Sequence, residues 1–302
     1  MRKKSLYIIL FLVVFINANT PLNYINQLRV KAGAFKLKYN TVLSKAALKH
    51  AKYVSINQEL SHYENISSIG YYAATPWNRI TKAGFKTKLV VENISFFEPN
   101  YKASIDKLMG TVYHRLAFLY LGVDSLGYAR YNNIYVYDMS NTQVANICSK
   151  HYKNSPMVIE DICSNNTDIV PKSLFDKLTA SLQKRAKRVI IYPYKGQQGV
   201  GVEGIEETPK FSYNSFGYPI TATFNNYYGN KVDLIEFKLF NGVKEVLTRV
   251  VTNSNDINNK IRKNTFVLVP INRLKRKTTY RVLLKARVNG KLKELEWSFT
   301  TL

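Results

Sequence analysis

The sequence predicts an α+β protein in two parts, a domain of mixed helices and strands followed by an all-β sandwich. Three observations lead to this prediction. Apolar residues recur at helical spacing through much of the first half, their period changes to two after residue 188, and asparagine–glycine turns divide the second half. The 302 residues are too many for one small core, and a hydrophobic content of 46% suits packed globular domains.

Residues 1–18 are typical of a secretory signal peptide. Arg2, Lys3 and Lys4 precede an apolar run over 6–16 that is too short to cross a bilayer comfortably. Cleavage is expected after Ala18, and an uncleaved N-terminal anchor is the alternative. No later stretch is long and apolar enough to be transmembrane. We therefore expect a periplasmic or secreted protein that is not an integral membrane protein once the signal is removed.

The first domain is expected over residues 19–145 and begins with two helices. The first has an apolar stripe from Leu22 to Leu28, and the second is expected to be capped at Asn40-Thr41. The stripe of the second helix contains Leu43, Ala46, Ala47, His50, Ala51 and Val54. His50 lies on this apolar face, so it is interpreted as a core histidine with satisfied hydrogen bonds.

The rest of this domain is predicted to alternate helices and strands. A short helix ends at Gly84, and helical spacing returns over residues 101–121. That stretch is either one continuous helix or two helices separated at Gly110-Thr111, with Thr111 capping the second. Two β-rich runs follow, at 122–129 and 133–139.

A connector over residues 146–188 contains both cysteines of the chain. An even number of cysteines in an exported protein favours a disulfide between Cys148 and Cys163, which would contribute about 3 kcal/mol through loop closure. A zinc site at these cysteines is the weaker alternative, because no histidine pattern accompanies them. A short amphipathic helix is expected after Pro171.

Residues 189–302 are predicted to form a β-sandwich of about seven short antiparallel strands. The Asn241-Gly242 and Asn289-Gly290 pairs predict tight hairpins, because both residue types accept a positive φ. A glycine-rich loop is expected over 196–204. The strands are expected at 189–192, 218–224, 232–240, 244–252, 265–269, 278–288 and 291–301.

The net charge of +24 is spread along the chain and is not held in one tail. One interpretation is attraction to anionic envelope components such as lipopolysaccharide, teichoic acid or phospholipid. The other is a solvated basic surface without a dedicated partner. Nucleic acid is not an expected partner, because an exported protein rarely meets it.

The candidate functional residues are His62, Glu92 and His114, with Glu64 as a fourth candidate. Two imidazoles and a carboxylate match the ligands of an open zinc site. The same groups suit acid–base chemistry, in which Glu92 orients a histidine. A third interpretation is a hydrogen-bonded network that binds nothing, and for Glu64 a solvated loop acid is the default. No P-loop, Gly-x-Ser-x-Gly or His-Glu-x-x-His motif is present.

Residues 22–140 resemble the CAP superfamily, also called SCP-like extracellular domains, in its bacterial branch. The likeness rests on Asn26-x-x-Arg29, Leu43-x-x-Ala46-Ala47-x-x-His50-Ala51, Ser61-His62, Pro76-Trp77-Asn78-Arg79-Ile80-x-x-Ala83-Gly84-Phe85, Val91-Glu92-Asn93-Ile94 and Tyr113-His114-Arg115. It implies an α-β-α sandwich whose central cleft holds His62, Glu92 and His114, often with zinc. The second cleft glutamate of animal members has no clear match, since Glu64 lies too close to His62.

Residues 189–302 resemble an Ig-like module that follows CAP domains in some bacterial proteins. The matching segments are Tyr192-Pro193-Tyr194, Gly217-Tyr218-Pro219-Ile220, Thr278-Thr279-Tyr280-Arg281-Val282 and Trp297-Ser298-Phe299-Thr300-Thr301. The two resemblances together predict an exported protein whose cleft binds a lipid, glycan or peptide at the cell envelope. The alternatives are a metal-dependent or His/Glu hydrolase of peptidase type and a non-catalytic basic scaffold.

Overall fold

The computed structural model describes residues 20–150, 152, 155–211 and 216–302. The expected signal peptide, residues 1–18, lies outside these ranges. Within them, every helix is too short or too polar to traverse a lipid bilayer.

The helices and strands alternate in the first half, and strands dominate the second. The helices are α1 Pro21–Ala32, α2 Thr41–Asn57, α3 Pro76–Ala83, α4 Tyr101–Gly110, α5 Tyr113–Phe118, α6 Thr142–Cys148 and α7 Lys172–Lys184. The strands up to residue 192 are β1 Lys38–Tyr39, β2 Val90–Phe96, β3 Ser125–Tyr131, β4 Ile134–Ser140, β5 Val158–Ile159, β6 Val170–Pro171 and β7 Val189–Tyr192. The later strands are β8 Gln197–Val200, β9 Ile220–Phe224, β10 Val232–Asn241, β11 Lys244–Glu245, β12 Thr248–Val251, β13 Thr265–Pro270, β14 Thr279–Val288 and β15 Lys291–Thr301.

Short polar side chains begin the first three helices, and glycines end two of them. Thr20, Asn40 and Thr75 each accept a hydrogen bond from a backbone N–H of the following turn. Gly33 and Gly84 close α1 and α3 with φ angles of 106° and 112°, a region where a side chain would be strained. The expected cap at Asn40 is confirmed.

The first domain is a sheet covered by helices on both faces. Its strands lie in the order β1-β3-β4-β2, with β1 parallel to β3 and the other pairs antiparallel. Successive residues of β4 face opposite ways, so Val136 packs with Ala47 of α2 while Tyr137 packs with Ile105 of α4. Helix α1 contributes Ile25 to the same side as α4. The predicted α-β-α sandwich is confirmed.

The stretch at 101–121 forms two helices, as one of the two sequence interpretations proposed. Helix α4 ends at Gly110 and α5 begins at Tyr113. The expected cap at Thr111 is wrong. Its hydroxyl donates backwards to the carbonyl of Leu108 at 2.7 Å, while the residue preceding α5, Val112, has no side-chain oxygen to offer.

The second half contains two facing sheets, in the orders β11-β10-β14-β15-β8 and β12-β13-β9-β7. Leu284 and Phe299 of the first sheet and Ile220 and Leu268 of the second belong to one core. The predicted sandwich architecture is therefore present, with two differences in its strands. Residues 197–200, expected in a loop, form β8 parallel to β15, and the run at 244–252 is divided into β11 and β12.

The connector differs from the prediction at its start. Residues 142–148 form α6, a helix that the sequence analysis missed, and its last residue is joined to Cys163 by the predicted disulfide. Helix α7 begins directly after Pro171, as expected. Apolar side chains of α7 and β7, including Leu182 and Ile190, join the helical side of the first domain to the sandwich in one continuous core.

Candidate functional site

The centre of the site is a contact between Glu92 and His62. Strand β2 places Glu92 on the face of the sheet toward α2, where its carboxylate is buried. His62 lies in the loop after α2, and its Nδ1 is 2.8 Å from Oε1 of Glu92. The His62 side chain is 39% exposed, and among the described residues its Nε2 has no hydrogen-bond partner. The carboxylate thus fixes the ring while the other nitrogen remains available at the surface.

Arg79 neutralises the buried Glu92 carboxylate. It lies on α3 and is fully buried, and its Nη2 donates to Oε1 and Oε2 of Glu92 at 2.9 and 2.8 Å. The same nitrogen donates to the backbone carbonyl of His62 at 2.9 Å. One guanidinium therefore holds both the carboxylate and the loop that carries the imidazole, which compensates the cost of burying the charge.

His50 and Glu64 extend the network beneath the loop. His50 is fully buried on α2, with Nδ1 2.9 Å from Oε1 of Glu64 and Nε2 3.0 Å from the carbonyl of Ser61. Oε2 of Glu64 accepts backbone hydrogen bonds from Tyr72 at 2.7 Å and Ala73 at 3.1 Å. The core interpretation of His50 is confirmed. The solvated interpretation of Glu64 is wrong, because two N–H donors and an imidazole hold its carboxylate inside.

Asp138 adds a second carboxyl group beside Glu92. The two residues are directly opposite each other in the β2–β4 pair, and Asp138 is buried without any hydrogen-bond donor on its two oxygens. Burial raises the pKa of Asp138 well above its usual range, and the charge of Glu92 is the second cause of this shift. Both effects favour the protonated form of the Asp138 carboxyl group in the folded protein.

The pKa of Glu92 is shifted in the opposite direction, by cationic neighbours. Burial alone would raise its pKa, but the charges of His50, Arg79 and His62 overcome burial and lower the pKa to about 2. The pKa values of two carboxyl groups in one buried site are thus shifted in opposite directions, which favours an ionised Glu92 and a protonated Asp138.

His114 has different partners. Its Nδ1 lies 3.1 Å from Oε2 of Glu207 and 3.1 Å from the hydroxyl of Thr111. Glu207 comes from the loop after β8, and it also accepts the backbone N–H groups of Val112 at 2.7 Å and Tyr113 at 2.9 Å. The Glu207 carboxylate of the second half therefore both caps α5 and contacts the ring of His114.

The residues on either side of His114 also contact the second half. The hydroxyl of Tyr113 donates to Oδ1 of Asp256 at 2.5 Å. Nη1 of Arg115 donates to the carbonyl of Pro219 at 2.6 Å, and the guanidinium lies 4.8 Å from the ring centroid of Tyr192. Three consecutive residues of one CAP-like motif are thus bound by the β-rich half.

The sequence-predicted group is therefore only partly assembled. The structure brings His62, Glu92 and Glu64 into one network through Arg79 and His50, whereas the ring of His114 contacts Glu207 and Thr111. His114 is tied to β2 through its backbone, since Nδ2 of Asn93 donates to its carbonyl at 2.9 Å.

The predicted zinc site does not fit this arrangement. Within the described part of the chain, no three His, Cys, Asp or Glu side chains are grouped so that they would hold a metal ion. Both oxygens of Glu92 already accept from Arg79, and Nδ1 of His62 faces the same carboxylate. We therefore derive no chemical step through a metal.

Sequence reasoning missed the roles of three residues. Arg79 stands in a recognisable motif but was given no role, and Asp138 and Glu207 were not singled out. The signal for Asp138 is its place among apolar neighbours in a strand with no polar residue at the adjacent positions. Nothing local to Glu207 reveals its partner, which lies 93 positions earlier.

Exposed apolar side chains lie in the loop that carries His62 and on α3. Tyr63 and Trp77 are both exposed and lie edge to face with their ring centroids 6.5 Å apart. Ile66 and Ile69 of the same loop are three-quarters exposed. The loop that carries His62 therefore exposes aromatic and aliphatic side chains to solvent.

One known protein family matches the first part of the chain. Residues 22–152 match the model of the family described as CAP, the Cysteine-rich secretory protein family. Among solved structures, an extracellular SCP-domain protein from Bacillus anthracis is 19% identical with a TM-score of 0.37, over 40% of this chain and 39% of that chain. An outer surface protein from Borrelia burgdorferi is 20% identical with a TM-score of 0.35, over 40% of this chain and 88% of that chain. A search of curated proteins found no match.

A helix–sheet–helix sandwich with a His/Glu pair at its sheet edge defines the class of the first half. Residues 22–152 are a CAP domain, and the β-rich half comes after it in the same chain.

Proposed function

We propose that this protein is an exported binding protein whose CAP domain presents His62 and its apolar surroundings to a ligand of the cell envelope, a lipid, glycan or peptide. The observation that carries the proposal is the state of His62. It is the ionisable member of the network that reaches the surface, and its Nε2 is available while the buried members bind one another. The exposed pair of Tyr63 and Trp77 supplies a contact surface for rings or chains next to it.

The buried part of the network supports binding more than catalysis. His50, Glu64, Arg79 and Glu92 satisfy each other or the backbone, so their chemistry is used to position the loop that carries His62. No serine or cysteine side chain is hydrogen-bonded to Nε2 of His62 among the described residues. Nε2 of His62 therefore contacts no serine or cysteine of the described residues that it could activate as a nucleophile.

Hydrolysis with water as the nucleophile is the second candidate. It is favoured by the orientation of His62, whose Nδ1 is held by a carboxylate while Nε2 is available, which is how a general base is arranged. A third candidate is a basic scaffold retained on an anionic surface by the net charge of +24.

The test compares the full chain with a His62→Ala/Trp77→Ala variant. The probes are phosphatidylglycerol vesicles, peptidoglycan fragments and a peptide library, with binding measured by sedimentation or fluorescence. We expect one probe to bind at least about tenfold more weakly to the variant, a loss of about 1.4 kcal/mol. The control is Tyr227→Ala, which removes an exposed aromatic ring from the second half.

Each alternative has a different outcome. Binding to anionic vesicles that falls with salt and is the same in the variant would refute the cleft proposal in favour of the scaffold. Turnover of a peptide or ester library by the wild type, absent in His62→Gln, would replace binding with hydrolysis.

A further inference from the structure

We propose a second ligand site, a pocket between the two sheets of the β-sandwich that binds one long-chain carboxylate, such as a fatty acid. The pocket opens where the end of α1, the segment after α7 and the open edge of the sandwich meet, and its volume is about 460 Å³. Specific small-molecule pockets range from about 300 to 1,000 Å³, so this one suits a single chain with a small headgroup. We call it the junction pocket.

The floor of the junction pocket is apolar and comes from both sheets. Its side chains are Val189, Ile191, Phe224, Leu284, Val288 and Leu295. Elsewhere in the sandwich, residues of these two sheets fill the space between them, as Val282 and Ala222 do. Here Val189, Val288 and Leu295 remain half-buried, so the core is left open to solvent at this edge. An open apolar cavity gains free energy when an aliphatic chain replaces water.

The rim of the junction pocket is strongly basic. Lys31, Lys187, Arg188, Lys195 and Lys293 line it against a single acid, Glu294. Glu294 already faces Lys285, with Nζ 3.6 Å from its Oε2. The acid therefore does not neutralise the rim.

The rim cations lack carboxylate partners of their own. Arg188 lies over the ring of Tyr228 at 5.1 Å, and Lys31 lies over the ring of Tyr194 at 5.2 Å. Among the described residues, Lys187, Lys195 and Lys293 form no ion pair. A ring of unpaired cations above an apolar floor is complementary to an anionic headgroup on an aliphatic chain.

The basic surface continues beyond the pocket. A more open hollow beside it shares Lys187, Arg188 and Tyr228 and adds Arg185. This continuity favours capture of the ligand from an anionic surface, because neighbouring cations raise the local concentration of anions at the entrance. None of these residues belongs to the network of His62 and Glu92, so the junction pocket is separate from the cleft of the proposed function.

The experiment measures binding of myristate to the full, delipidated chain by calorimetry, with myristyl alcohol as the neutral probe. We expect myristate to bind with one-to-one stoichiometry and the alcohol to bind at least about tenfold more weakly, because it gains nothing from the rim. The Lys187→Glu/Lys293→Glu variant is expected to weaken myristate binding by at least about tenfold as well. Leu295→Trp fills the half-buried floor, and we expect it to abolish binding of both probes.

The matched control is Lys45→Glu/Lys86→Glu, which makes the same change in net charge with exposed lysines of the CAP domain. Myristate binding that this control weakens as much as the rim variant, or equal binding of acid and alcohol, would overturn the proposal. Binding of lysophosphatidylglycerol without binding of myristate would overturn the carboxylate assignment. His62→Ala is expected to leave myristate binding unchanged, so failure of the cleft proposal does not affect this result.

Discussion

Replacing Asp138 by asparagine tests the division of charge in the buried carboxyl pair. Asp138→Asn keeps the shape of the side chain and puts a neutral amide in place of the carboxyl group. The asparagine does not titrate. The free energy of unfolding of the variant relative to wild type is therefore expected to depend on pH through this one group.

The size and sign of the dependence follow from the raised pKa of Asp138 in the folded protein. Between the unfolded pKa, near 3.9, and the folded pKa, the native state holds one proton more than the unfolded state. The stability of the wild type then falls with rising pH by about 1.4 kcal/mol per pH unit from this group, and the variant is spared that loss. The stability of the variant relative to wild type is therefore expected to rise from pH 5 to pH 7.

The assay is urea unfolding followed by circular dichroism at pH 5, 6 and 7 for wild type, Asp138→Asn and Asp233→Asn. Asp233 is exposed and serves as the matched control, for which the difference from wild type should stay constant. Contributions from titrating groups distant from residue 138 cancel in each difference. A constant difference for Asp138→Asn as well would mean that Asp138 is ionised in the native protein, and the pair as described would be refuted.

Three further perturbations address the network, the junction of the halves and the connector. Arg79→Met should lower the free energy of unfolding in urea by about 3–5 kcal/mol, because it leaves the Glu92 carboxylate buried without its cation. A loss below about 1 kcal/mol, the value typical of an exposed ion pair, would contradict this. Glu207→Gln should cost about 1–3 kcal/mol through weaker hydrogen bonds to the start of α5, while the exposed neighbour Glu206→Gln should be neutral by the same measurement. Cys148→Ser/Cys163→Ser should lower stability by about 3 kcal/mol, and wild type under reducing conditions should match it.

Local patterns predicted the elements whose causes are local. The stripe through His50 identified α2 and its buried face, and the Asn289-Gly290 pair identified the β14–β15 hairpin, where both residues have positive φ. Strand β8 was missed because its glycine-containing segment becomes a strand only by pairing in parallel with β15, far along the chain. Tertiary pairing of this kind leaves no periodic signal in the segment itself.

The site was predictable to the extent that its contacts lie within the CAP motifs. His62 and Glu92 were named from the sequence, and the structure places their side chains in contact. The partner of His114 could not be inferred, because Glu207 belongs to a different fold unit and its spacing from His114 follows no motif. Arg79 was visible in the sequence, but its role depends on a buried carboxylate that only the fold brings near it.

The contacts of Tyr113, His114 and Arg115 join the CAP domain to the β-rich half. Cut away from residues 189–302, the guanidinium of Arg115 would lose the carbonyl of Pro219 and face water across an uncovered apolar surface. The amide groups at the start of α5 would lose their carboxylate as well. A foreign module grafted onto this CAP domain would have to supply an acid and a carbonyl at the same two places, so the halves are not interchangeable parts.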